Sequence, residues 1–228
     1  MDDWLRTFGW VNRRLQRESV EHVFVKLLRN PFMPTDIDLL ISDPREQERA
    51  MEALGGRDIF ARGGVLEGPR RAILRLRNID IDIYPEASWG GLKVAEGAEI
   101  VGRRHLKYVL GETAYLPSPV DDFYLIATHA YSHLNIRREE IQNCRVIASE
   151  PSFSYEKVWG MASRFGMTGP VRIFAEALDN ECAGKIPNWK VLRFFHTHKM
   201  IGKIERRELI SDFLWHFVRP ITRLLGVR

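Results

Sequence analysis

The segment Thr35-Asp36-Ile37-Asp38-Leu39-Leu40-Ile41 places the tightest constraint on how this chain can fold. Side chains alternate across a β-strand, so a strand here sends Asp36 and Asp38 to one face and Ile37, Leu39 and Ile41 into a sheet core. Directly after it, Asp43 stands where a helix N-cap belongs, Pro44 at the first helical position, Glu46 in the first turn and Gly55-Gly56 at the stop. Before it, His22 to Leu28 is a short apolar and β-branched run, followed by the turn-rich Arg29-Asn30-Pro31-Phe32-Met33-Pro34. The expected order is strand, loop, acidic strand, capped helix.

Two like charges about 7 Å apart along a strand repel each other, and a divalent cation with oxygen ligands is the simplest compensation. Magnesium is the natural candidate. A second strand, Ile79-Asp80-Ile81-Asp82-Ile83, alternates in the same way and supplies the third carboxylate that two-metal phosphoryl chemistry requires. Asp80 and Asp82 share a face, and spacing does not choose between them. Acidic residues alternating with apolar ones also describe a half-exposed edge strand, where charge discourages aggregation. The preceding strand, the capped helix and the second acidic strand together favour the metal.

Residues 3 to 17 place Trp4, Leu5, Phe8, Val11 and Leu15 at helical spacing, which predicts an amphipathic opening helix. Arg57 to Ala61, Arg71 to Leu76 and Ile79 to Pro85 have strand patterns separated by glycine-bearing turns. From Ser118-Pro119 onward the pattern is helical, with Ser154 and Glu156 opening a further helix. The fold class is therefore α+β: a small mixed β-sheet domain over residues 1–115, then an all-helical domain over 116–228. The 228 residues carry a net charge of +4, too mild an excess for a dedicated nucleic-acid binder. No apolar run reaches the roughly 18 residues of a membrane helix, and the start of the chain interleaves Arg with Trp, Phe and Val, unlike a secretory leader. Cys144 and Cys182 alone form neither a disulfide framework nor a zinc motif, so a cytoplasmic protein is expected.

The order helix, strand, loop, Pro34-Thr35-Asp36-Ile37-Asp38-Leu39-Leu40, capped helix and a later Asp-bearing strand resembles the polymerase-beta-type nucleotidyltransferase superfamily. Within it, the segment is most similar to the bacterial and archaeal group labelled uncharacterised nucleotidyltransferases. The resemblance extends to the two spaced histidines in Leu125-Ile126-Ala127-Thr128-His129-Ala130-Tyr131-Ser132-His133. It implies a sheet domain of nucleotidyltransferase type, with Asp36 and Asp38 holding two Mg2+ ions, Asp80 or Asp82 as third ligand, and a nucleoside triphosphate such as ATP as substrate. It also implies that a nucleoside monophosphate passes to a hydroxyl acceptor, which the sequence does not specify. The superfamily's Gly-Gly or Gly-Ser turn after the first strand is replaced here by Lys26-Leu27-Leu28-Arg29-Asn30. Phosphate contacts would then fall to Lys26, Arg29, Thr35, Arg75 and Arg77, the guanidinium groups gripping phosphate oxygens in pairs. The alternative is a degenerate module of the same fold that binds nucleotide or RNA without turnover.

His129 and His133, four apart, share a helix face and are expected to pack or hydrogen-bond at the sheet interface, a phosphate contact being the rival. Arg137-Arg138-Glu139-Glu140 is expected to be a solvated helix start, and Trp89 a core or turn tryptophan rather than a base-stacking platform. Ile210, Phe213, Leu214, Phe217, Val218, Ile221, Leu224 and Leu225 form an apolar stripe suited to docking on its own domain or to a homodimer.

Overall fold

The computed structural model describes residues 2–27, 36–55, 59–61, 72–89, 92–181 and 183–186. The chain opens with α1 (Asp2–Arg17), β1 (His22–Val25), β2 (Asp36–Ile41), α2 (Pro44–Ala53), β3 (Ile59–Ala61), β4 (Ala72–Leu76) and β5 (Ile79–Tyr84). There follow β6 (Ala87–Trp89), β7 (Leu92–Ala95), α3 (Gly97–Gly102), β8 (His105–Val109) and β9 (Glu112–Leu116). The remainder is α4 (Pro119–Ser132), β10 (Asn135–Ile136), α5 (Arg138–Ala148), α6 (Tyr155–Arg164), α7 (Thr168–Asp179) and β11 (Gly184–Lys185). The fold is α+β, a mixed sheet followed by helices, as the periodicity indicated.

The main sheet has five strands in the order β1-β2-β5-β4-β3. Only β2 and β5 run parallel; the other neighbours are antiparallel. Alternation gives this sheet two chemically different faces. Phe24, Ile37, Leu39, Ile41, Ile81 and Ile83 pack with Trp4, Phe8, Val11 and Leu15 of α1. Trp4 and Phe8 stack at 5.4 Å, and Phe8 meets Phe24 edge-on at 4.8 Å. On the other face Val23, Val25 and Leu40 join a cluster with Trp89, Val94, Phe123, Tyr124 and Ala127, so sheet and helices share one core.

Local signals set the helix ends. The Asp43 carboxylate accepts from the Arg45 and Glu46 amides at 2.7 and 3.1 Å, and Pro44 occupies a first-turn position where no amide hydrogen is needed. Gly55 takes φ +84° just past the helix end, which glycine adopts without strain. Gln47 on the inner face donates to the Ile83 carbonyl at 2.9 Å, fastening α2 to β5. α4 begins at Ser118, whose hydroxyl accepts from the Asp121 amide, and is buried almost all round. Tyr124 donates to the Val94 carbonyl at 2.7 Å from its centre.

Several features were not expected. Ala87–Trp89 and Leu92–Ala95 form their own antiparallel ladder, and β8–β9 is a hairpin, in a stretch to which the pattern assigns a turn at Trp89-Gly90-Gly91 and no strands. The helical half carries a two-residue ladder, β10 with β11. These strands are too short for a period of two to stand out. Among the described residues no helix is long and apolar enough to cross a membrane. Arg29, Thr35, Gly63-Gly64, Gly90-Gly91, Cys182 and the C-terminal apolar stripe lie outside the described residues.

His22 opens β1 fully buried, edge-on to Phe24 and Tyr115, its Nδ1 2.8 Å from the Val20 carbonyl. Burial, with Arg104 nearby, lowers its pKa to about 4 despite the Val20 contact. The unfolded chain therefore binds a proton near pH 6.5 that the folded chain refuses until about pH 4. Stability should fall as pH drops through that window, by about 2 kcal/mol from this group between pH 7 and 5. Urea unfolding of wild type and His22→Phe at both pH values checks this: the variant should lose less on acidification, and an equal loss would remove His22 as the cause.

Candidate metal centre

Parallel pairing of β2 with β5 sets Asp36 opposite Asp80 and Asp38 opposite Asp82. All four occupy the face turned away from α1, since the intervening Ile37, Leu39, Ile81 and Ile83 fill the α1 side. One oxygen each from Asp36, Asp38 and Asp82 lies within 4.8 Å of the others. Octahedral Mg2+ holds oxygens at about 2.1 Å, so cis ligands sit about 3 Å apart and trans ligands about 4.2 Å. The separations of the three carboxylates are therefore on the scale of a shared cation's coordination shell.

Asp80 is directed elsewhere. Arg75, its cross-strand partner on β4, grips both oxygens at 2.6 and 2.8 Å, an exposed two-pronged pair that also raises the Arg75 pKa. Arg75, on the strand that β5 follows after two residues, thus engages Asp80, and the carboxylate that lies close to Asp36 and Asp38 is that of Asp82. Arg77 sits exposed in the β4–β5 turn with φ +50°, followed by Asn78 at φ +64°.

The cluster is set deep. Asp82 is 2% exposed and Asp38 8%. The Tyr84 hydroxyl donates to Asp82 Oδ2 at 3.3 Å. Asp38 Oδ2 meets the Lys26 ammonium at 2.9 Å, while Asp38 Oδ1 is buried with no hydrogen-bond partner among the described residues. A buried carboxylate oxygen left without a donor is costly unless a cation or water reaches it. A divalent cation coordinated by these carboxylates would reach that oxygen and offset their mutual repulsion.

The helical half closes over this face. Lys26 Nζ lies 3.2 Å from His129 Nε2, and His129 Nε2 lies 3.0 Å from His133 Nε2. Trp89 packs edge-on to both Tyr84 and His129 and donates to the Thr128 hydroxyl at 3.1 Å. His129 therefore sits at the sheet interface and Trp89 is a core residue, as expected, whereas His133 is exposed and meets the interface through His129. Glu140 departs from the solvated helix start: it accepts from the Arg137 amide at 2.8 Å, its other oxygen stands 3.9 Å from His129 Nδ1, and burial raises its pKa. Helical spacing did not single it out, because its partner belongs to another helix.

No protein-family model matches the sequence, and no curated protein matches it. Among solved structures, the chain is similar to the antibiotic-resistance factor ANT(2'')-Ia, at 17% identity over 78% of this chain and 95% of that one, with a TM-score of 0.48. It is also similar to an antigenic nucleotidyltransferase-like protein from Paracoccidioides brasiliensis, at 15% identity over 78% of this chain and 93% of that one, with a TM-score of 0.45. The three carboxylates, not these loose overlaps, carry the functional reading.

Like-charge crowding makes a testable cost. Asp82→Asn removes one charge at nearly constant shape, so the metal-free protein should be stabilised by about 1 kcal/mol. Thermal unfolding in EDTA should show a higher melting temperature for the variant, and added Mg2+ should raise that of wild type only. A lower melting temperature in EDTA would mean that the Asp82 carboxylate is needed for folding.

Proposed function

We propose that the protein is a Mg2+-dependent nucleotidyltransferase that moves a nucleoside monophosphate from a nucleoside triphosphate to a hydroxyl acceptor. The observation that supports this most is the convergence of Asp36, Asp38 and Asp82 on one point from two parallel strands, with a buried oxygen of Asp38 still seeking a cation. All-oxygen donors suit Mg2+ rather than a transition metal. Asp36 and Asp38 would hold two ions and Asp82 would be the third ligand. Bound there, the ions would supply charge stabilisation to the transferred phosphoryl group and lower the pKa of the acceptor hydroxyl.

The protein's own groups have distinct parts in this reading. Tyr84 orients Asp82 by its hydroxyl, and Ile37, Leu39, Ile81 and Ile83 hold the strand register that aims the carboxylates. Lys26, reaching the centre from the end of β1, is the described cation best placed to meet triphosphate oxygens. Arg29 and Thr35 would join it from the loop before β2. Arg75 contributes by holding Asp80 aside, and Arg77 stands at the sheet's exposed turn. The α4–α5 half, which packs on the carboxylate face, would select the acceptor.

The absent glycine turn and the Lys26–Asp38 ion pair favour a second reading, a module that binds nucleotide or RNA without transfer. Incubation with each α-labelled ribonucleoside triphosphate, Mg2+ and mixed small-molecule, RNA and protein acceptors separates the two. The first reading predicts labelled product that falls at least about 100-fold in Asp38→Asn and Asp82→Asn, the scale of losing a central charge-stabilising group. Nucleotide binding with no product under any condition would establish the second.

A further inference from the structure

We propose that Lys26 is a built-in counter-cation for the carboxylate centre: its ammonium occupies Asp38 in the metal-free protein and gives that oxygen up when a divalent cation binds. This rests on the metal-centre reading above and adds to it the residue that sets how strongly the free protein takes metal.

The backbone shows how Lys26 comes to be there. In β1, Phe24 faces α1 and Val25 faces the helices, so unbroken alternation would turn Lys26 back toward α1. Lys26 instead takes φ +56°, in the left-handed region that a long L side chain rarely adopts. That break leaves two consecutive side chains, Val25 and Lys26, on the carboxylate side. Such strain persists only where surrounding contacts hold it, and here they include the ion pair with Asp38 and the contact with His129.

The ion pair is enclosed, with the Lys26 side chain 15% exposed and that of Asp38 7%. A single ammonium does not satisfy the centre, because it binds Asp38 Oδ2 and leaves Oδ1 without a donor. A cation coordinated by Asp36, Asp38 and Asp82 together brings higher charge and more ligands to the same carboxylate, so the two compete.

The ammonium also has somewhere to go. His129 Nε2 lies 3.2 Å from Nζ, and the Trp89 and Tyr84 ring centroids lie 5.2 and 5.9 Å from it. Losing Asp38 therefore leaves Lys26 among an imidazole and two aromatic faces, beside the centre, where phosphate oxygens carried in with the metal would meet it. The exchange couples nucleotide to metal: metal alone must displace the ammonium, whereas metal with nucleotide gives it a new partner.

Mn2+ binding to the purified full chain, measured by calorimetry without nucleotide, tests the proposal in wild type, Lys26→Met, Lys26→Arg and Asp38→Asn. Removing the competitor should tighten Mn2+ binding at least tenfold in Lys26→Met and enlarge the Mn2+-induced rise in melting temperature, while Lys26→Arg stays near wild type. Loss of a merely structural lysine would weaken binding. Unchanged or weaker affinity in Lys26→Met, with binding still lost in Asp38→Asn, would overturn the proposal and leave the metal centre standing. No Mn2+ binding to wild type or Lys26→Met at millimolar concentration would bring down both. Should Lys26→Met fail to fold, NMR of the wild-type Lys26 side chain during Mg2+ titration decides: its Cε resonance, assigned through Lys26→Arg, should shift, and a fixed resonance would overturn the exchange.

Discussion

Everything at the candidate site depends on the parallel register of β2 with β5. Ile37 beside Ile81 and Leu39 beside Ile83 on one face force Asp36 beside Asp80 and Asp38 beside Asp82 on the other. A slip of one residue would turn every carboxylate into the α1 core. The energetics favour the observed register. Each buried Ile or Leu contributes about 1.5–3 kcal/mol, whereas two like charges at about 4 Å cost about 4 kcal/mol at an effective dielectric of 20. Three mutually close carboxylates make three such pairs, a cost on the same scale as the gain from four buried Ile and Leu side chains, so the register needs the neighbouring cations as well as the apolar face.

The rest of the structure moderates that charge without removing it. Arg75 takes Asp80 out of the cluster, Lys26 neutralises part of Asp38, and Tyr84 steadies Asp82. α4 and α5 bring His129, His133 and Glu140 behind the lysine. These groups form a graded polar layer between a negative centre and an apolar helical core, and the lysine is its only direct ionic link to Asp38 among the described residues. Partial neutralisation by Lys26 lowers the cost of gathering the carboxylates, yet leaves Oδ1 of Asp38 without a donor among the described residues.

Much of this was readable in the sequence where a short-range rule applied. The strict alternation around Asp36 and Asp38, and again around Asp80 and Asp82, located both strands and their acidic face. Asp43-Pro44 and Ser118-Pro119 located two helix starts, because a cap is satisfied within a few residues of itself. What could not be read depends on which side chains meet once strands and helices have packed. That Asp82 rather than Asp80 lies beside Asp36 and Asp38 goes with the grip of Arg75 on Asp80, and the inward turn of Glu140 goes with His129 on another helix. Lys26 was picked out as a phosphate ligand by position, but its pairing with Asp38 needed the left-handed backbone that ends β1, which no propensity of lysine foretells. The short ladders β6–β7 and β10–β11 are held by surrounding packing rather than by their own pattern.

The most direct test of the central claim is a crystal structure of the full chain grown with Mn2+ and a non-hydrolysable nucleoside triphosphate, read by anomalous scattering. The account predicts a Mn2+ peak bounded by Asp36, Asp38 and Asp82, with the Lys26 ammonium moved off Asp38 toward the phosphates. An absent peak at that point, or Mn2+ bound elsewhere with Lys26 still on Asp38, would contradict it.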